Sequence, residues 1–119
     1  MPDTQKDFYK KLLGRTGESK AVSFLKKKKY RILKKNYVTK IGEVDIIAEQ
    51  NGVIVFIEVK TRDTLFYGRP AEAITTGKQA KYRRMAMQYL QSTDDENALF
   101  RFDVIEILPG EINHIENAF

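Results

Sequence analysis

The segment from Asn51 to Lys60 constrains the fold more than any other part of this chain. Asn51-Gly52 is a strong short-range hairpin signal, flanked by strand-like residues from Asp45 to Glu49 and from Val53 to Lys60. The second flank begins Val53-Ile-Val-Phe-Ile57, the longest uninterrupted apolar run of the sequence. Five consecutive apolar residues point to both faces of a strand, so this strand belongs in the middle of a sheet covered on both sides by helices. At five residues the run is far short of the roughly 20 needed for a membrane span.

The rest of the chain supplies those layers. Before the hairpin, Tyr30, Ile32, Leu33, Tyr37 and Val38, then Val44, Ile46 and Ile47, read as two further strands with a turn at Gly42, so three antiparallel strands are expected in succession. From about Asp7 to Lys28, Phe8, Leu12, Leu13, Ala21, Val22 and Leu25 recur at helical spacing. Gly14 and Gly17 weaken that helix by roughly 1 kcal/mol each, leaving its first turns open to being a separate piece. A second helix is expected from about Thr76 to Gln91, capped by Thr75 or Thr76, with Tyr82, Met85, Ala86 and Tyr89 on its inner face. Leu99 to Leu108 reads as a strand, and Ile112 to Glu116 as a short last one. The order α-β-β-β-α-β defines an α/β fold with a mixed central sheet flanked by helices.

A chain of 119 residues is expected to form one domain, residues 1–119, since chains rarely divide below about 150. With no cysteine, a disulfide framework, a zinc ribbon and a thiol nucleophile are excluded. Residues 1–15 carry Asp3, Lys6, Asp7, Lys10 and Lys11 rather than an apolar stretch, so no secretory signal is read there and a cytoplasmic location is expected.

The 21 Lys and Arg against 16 Asp and Glu leave a net charge of +5, which favours polyanionic partners. Eight of the cations fall between Lys26 and Lys40 with no acid among them, a pattern equally suited to a solvated helix end and to a phosphate-binding patch. On the second helix, Lys78 falls within the inner arc in the first turn and, with Gln79, is a candidate phosphate clamp or else a snorkelling lysine. Lys81, Arg84 and Gln88 form an outward stripe suited to a nucleic-acid backbone. Arg62 and Arg69 flank the loop after the hairpin strand, a placement that suits either phosphate contacts or ordinary exposed loop arginines. In the same loop Phe66 and Tyr67 suit either base stacking or covering the core edge.

Against that basic background, acids placed inside apolar strands stand out. In Gly42-Glu-Val-Asp-Ile-Ile-Ala48, strand alternation puts Glu43 and Asp45 on one face and Val44 and Ile46 on the other. In Phe56-Ile-Glu-Val-Lys60, Glu58 and Lys60 share a face. Through the hairpin, Asp45 and Glu58 become candidate cross-strand neighbours. Two adjacent carboxylates call for a hard cation, Mg²⁺ or Mn²⁺, and a lysine beside them can orient water or neutralise charge developing on a phosphate. The same spacing is met by a lysine that merely pairs with an acid at a strand end. Glu43 is expected in solvent at the strand edge and outside the ligand set. Asp103 is expected to pair with a basic residue, and His114 to lie at the surface.

These motifs resemble a known family. Gly17-Glu18, Gly42 to Ala48, Phe56-Ile-Glu-Val-Lys-Thr-Arg62, Pro70-Ala-Glu-Ala73, Lys78 and Arg101-Phe-Asp-Val104 look like the YraN-like family of small bacterial proteins placed among endonucleases, over about Gly14 to Ile107. One departure is Lys29, where the family commonly has Gly before the aromatic residue now at Tyr30. The resemblance implies a restriction-endonuclease-like core of the PD-(D/E)xK superfamily, near the Holliday-junction resolvases. It implies Mg²⁺-dependent cleavage of DNA, of branched or structured form among others. It further implies Asp45 and Glu58 as metal ligands with the Val59 backbone carbonyl a third, Lys60 as the catalytic lysine, and Glu18 as a further ligand or holder of a water. Glu18 has a plainer reading as an acid near a helix start. Resolvase chemistry uses two active sites and would suit a homodimer, although no heptad or contiguous apolar patch calls for one. The rival reading is a non-catalytic nucleic-acid- or protein-binding module that keeps the nuclease fold. A small-anion-binding domain is a third reading, with only the overall charge in its favour.

Overall fold

The hairpin turn forms as its residues dictate. Asn51 and Gly52 both have positive φ, 53° and 79°, the pair of left-handed residues that matches the twist of the flanking strands. They join β2 (Glu43–Gln50) to β3 (Val53–Thr61), which pair antiparallel from Gln50 opposite Val53 to Ile46 opposite Ile57. Upstream, α1 (Thr4–Lys27) leads into β1 (Arg31–Val38), antiparallel to β2. After β3 the chain crosses through α2 (Thr76–Ser92) to β4 (Leu99–Leu108), which runs parallel to β3, and β5 (Glu111–Ile115) adds antiparallel to β4. The sheet order is β1-β2-β3-β4-β5. The computed structural model describes residues 4–62, 74–95 and 97–119, with side chains from residue 16 onward. Arg69, Phe66, Tyr67 and the Pro70 to Ala73 motif lie outside the described residues.

The expected α/β core is therefore present, with β5 as a further strand. Both faces of β3 are buried. Ile54 and Phe56 join Tyr82, Met85, Ala86 and Tyr89 of α2, while Val55 and Ile57 join Ala21 and Leu25 of α1. A helix thus covers each side of the sheet. Among the described residues, no helix is long and apolar enough to cross a membrane.

Several local expectations are corrected. The first helix is continuous through Gly14 and Gly17. Gly17 is buried where α1 crosses β3, and a methyl group there would collide with Thr61 Oγ1 and lie 3.2 Å from Thr61 Cβ, so the glycine permits close approach rather than a break. The helix ends in a Schellman turn: Tyr30 N–H donates to Leu25 O and Lys29 N–H to Lys26 O, each at 3.0 Å, with Lys29 at φ 71°.

His114 is not a surface residue. Its side chain is 3% exposed, sits against Phe24 and Tyr30, and holds Asp103 Oδ2 through Nε2 at 2.7 Å. Asp103 is fully buried and also pairs with Arg101 Nε at 3.0 Å, as the expected ion pair, and accepts the Asn117 N–H at 3.1 Å. Burial alone would raise the Asp103 carboxyl, but the His114, Arg101 and Asn117 donors hold it below the usual carboxylate range.

Candidate active site

The site begins where a sheet ladder stops. β2 and β3 pair as far as Ile46 and Ile57, and Asp45 and Glu58, next along each strand, are not paired. Instead Asp45 Oδ2 accepts the Val59 N–H at 2.8 Å, taking the place of a backbone acceptor. The expected alternation in β2 is also broken here. Val44 packs on the α2 side and Ile46 on the α1 side, so the two do not share a face, and Asp45 occupies the step between them. In an antiparallel strand the N–H and C=O of one residue point to the same neighbour, so the Val59 carbonyl also faces the side on which Asp45 lies.

Glu58 projects toward α2. Only 5% exposed, it presents Oε1 to two lysines: Lys60 Nζ at 3.2 Å from its own strand, as the shared face predicts, and Lys78 Nζ from the first turn of α2. Its second oxygen, Oε2, is buried without a hydrogen-bond donor among the described residues. Lys78 is held in reach by the helix start, where Thr75 Oγ1 accepts the Lys78 N–H at 3.2 Å as the N-cap. Gln79 turns back instead, its Nε2 donating to Ile74 O at 3.3 Å, so in this arrangement it braces the helix start. Lys81 and Arg84 are exposed on the outward stripe.

On the α1 side a groove is lined by Glu18, Ser19, Lys35, Asn36, Asp45 and Ile46. Glu18 sits well inside α1, so the reading as an acid near a helix start does not hold. Asn36, in the left-handed conformation at φ 53°, was not anticipated from sequence. With its amide nitrogen turned to the carboxylates it donates to Glu18 Oε2 and to Glu43 Oε1, both at 2.9 Å. Glu43 is exposed, as expected, yet it is tied to Glu18 through that amide. Asn in a charged edge strand carries no chemical signature, and only its positive φ marks it.

The electrostatics follow from this crowding. Burial pushes the Asp45 carboxyl up to about 6, helped by the charges of Glu18, Glu58 and Glu43 and opposed by the Val59 N–H. Burial likewise raises Glu18, against the Asn36 hydrogen bond. Among the described residues no lysine or arginine forms an ion pair with Asp45 or Glu18. Nor do three acidic or imidazole side chains there form a ready-made cation cage. Another buried acid went unnoticed in the sequence: Glu106, beside Lys60 in the β3–β4 register, has Arg62 Nε 3.9 Å from Oε2 and Asn113 Nδ2 3.4 Å from Oε1. Arg62 thus turns toward Glu106, with its side chain 23% exposed, rather than standing free in a loop.

Fold and site together define a class: a mixed α/β sheet between two helices, with a carboxylate and lysine cluster where two central strands part. The particular family follows from the sequence comparison. Residues 17–107 match uncharacterised protein family UPF0102, and the chain belongs to that family, in agreement with the YraN-like motifs. It is 48% identical over 116 residues to a UPF0102 protein of Caldicellulosiruptor saccharolyticus, covering 92% of this chain and 98% of the relative. It is 51% identical over 117 residues to one of Alkaliphilus oremlandii, with the same coverage. A third, from Persephonella marina, is 44% identical over 106 residues, covering 89% of this chain and 91% of the relative.

Proposed function

We propose that this protein is a divalent-metal-dependent endonuclease that hydrolyses phosphodiester bonds in DNA, branched or structured DNA included. The observation that carries the reading is the buried Oε2 of Glu58, without a hydrogen-bond donor among the described residues, beside an Asp45 carboxyl that its surroundings destabilise as an anion. Both defects are ones a hard dication relieves. Asp45, Glu58 and the Val59 carbonyl would hold Mg²⁺ or Mn²⁺, with Glu18 across the groove available to hold a water. Such a cation, when bound, polarises the scissile phosphate and acidifies water.

The chain's own residues supply the rest. Lys60, fixed by its strand within 3.2 Å of Glu58, orients the attacking water and neutralises charge developing on the phosphate. Lys78 lies at the start of α2, where the helix dipole favours anions, and exposed Lys81 and Arg84 continue along the same helix. These cations suit a DNA backbone, with binding that weakens steeply in salt.

Incubation with Mg²⁺ or Mn²⁺ and a panel of duplex, flap and four-way-junction DNAs tests the proposal. The wild type is expected to cleave at least one of them, and Asp45→Ala to lose at least about 100-fold in rate. Equal cleavage by both would sink the assignment. The rival, a non-catalytic binding module with the same fold, draws on one observation: two lysines already neutralise Glu58 without a metal. It predicts salt-sensitive DNA binding with no metal-dependent turnover.

A further inference from the structure

Glu58 and Asp45 are treated differently by their surroundings. Among the described residues Asp45 has no cationic partner, whereas two ammonium groups converge on a single oxygen of Glu58. The two lysines differ in how they arrive. Lys60 stands two residues along the same strand and is 20% exposed, so its position is set by the sheet. Lys78 reaches across from α2 on a flexible stem, is 36% exposed, and can swing out without disturbing any backbone pairing.

We propose that Lys78 is a resident counter-ion that competes with the divalent cation for Glu58, and that its displacement delivers it to a phosphate of the nucleic acid. This rests on the metal-dependent reading above and deepens it. A carboxylate already balanced by two monocations binds a third cation poorly, because like charges crowd one buried oxygen. Once a dication takes the carboxylate, Lys78 is repelled. Its favourable partner is then a phosphate drawn to the anion-attracting start of α2, where exposed Lys81 lies one turn on. Cation binding and phosphate binding are thereby linked: each favours the state with Lys78 released.

The test is calorimetric titration of Mn²⁺ alone into the metal-stripped full chain. Lys78→Met, which leaves the Lys60 pair to Glu58 intact, is expected to bind Mn²⁺ about tenfold more tightly than wild type. Lys78→Gln serves as a second neutral variant and should behave alike, while Lys78→Arg, which keeps the charge, should stay near wild type. Lys81→Met removes the same charge from the exposed face of α2 and should change affinity by less than about twofold, since exposed charges are screened. If neutral variants at Lys78 bind no more tightly than wild type while Glu58→Gln loses binding, the competition is overturned and the cation site stands. If neither wild type nor the Lys78 variants take up Mn²⁺, the cation site itself falls, and the competition with it.

Discussion

Asp45 Oδ2 holds the Val59 N–H at 2.8 Å immediately beyond Ile46 and Ile57, the last paired residues of their two strands. A side chain here does the work of a backbone acceptor. The strands can therefore part without leaving a buried N–H unpaired, and the carboxylate is fixed in the gap by the parting itself. An acid in this place is costly, because it is partly buried and faces three other acids.

That cost has a pH signature. A carboxyl that titrates near 6 when folded and near 3.8 when unfolded destabilises the fold by about 3 kcal/mol above pH 6. Between about pH 6 and pH 4 the folded state takes up the proton first, so the penalty disappears as pH falls. Asp45→Asn keeps an oxygen for the Val59 N–H without the charge. It is expected to melt several degrees above wild type at pH 8, with the gap closing near pH 4. Melting curves that show no advantage at pH 8 would refute this account of Asp45.

Gly17 is expected to tolerate no side chain. Gly17→Ala gains helix propensity but forces a methyl group into Thr61, for a net loss of about 1 to 2 kcal/mol. Adding Thr61→Ala should restore at least about half of that loss, since the two positions are in contact. Urea denaturation of the two single variants and the double variant measures the coupling, and simple additivity would argue against the close approach.

The buried cluster around Asp103 ties the C-terminal strand to α1 through His114, which lies against Phe24. Asp103→Ala removes the acceptor of His114 Nε2 and the Asn117 N–H and the buried carboxylate partner of Arg101, which keeps Tyr30 and Glu116, and is expected to cost about 3 kcal/mol. Because the folded carboxyl is held below its ordinary range, its contribution is present above that range and is lost as acid protonates it. An acid-unfolding midpoint unchanged in the variant would contradict this.

Lys29 occupies a left-handed position at the end of α1 that glycine adopts without strain. Lys29→Gly is expected to stabilise the fold by about 1 kcal/mol, and Lys29→Ala not to. Chemical denaturation of the two variants against wild type distinguishes relief of backbone strain from loss of a charge.

The elements that the sequence made legible are those whose causes are local. The Asn51-Gly52 turn, the doubly apolar run from Val53 to Ile57, the Thr75 cap and the shared face of Glu58 and Lys60 each follow from a few neighbouring residues and a fixed period. Only the tertiary structure decided the rest. The ladder stops at Ile46 and Ile57, Val44 and Ile46 turn to opposite sides, and a helix reaches back twenty residues to put Lys78 on Glu58. His114 is drawn inward by an acid that sequence alone showed only as half of an ion pair. Periodicity describes a strand as though its pairing continued, whereas the candidate site lies where pairing ends. There, contacts between distant segments outweigh the local alternation and determine which way each charged group points.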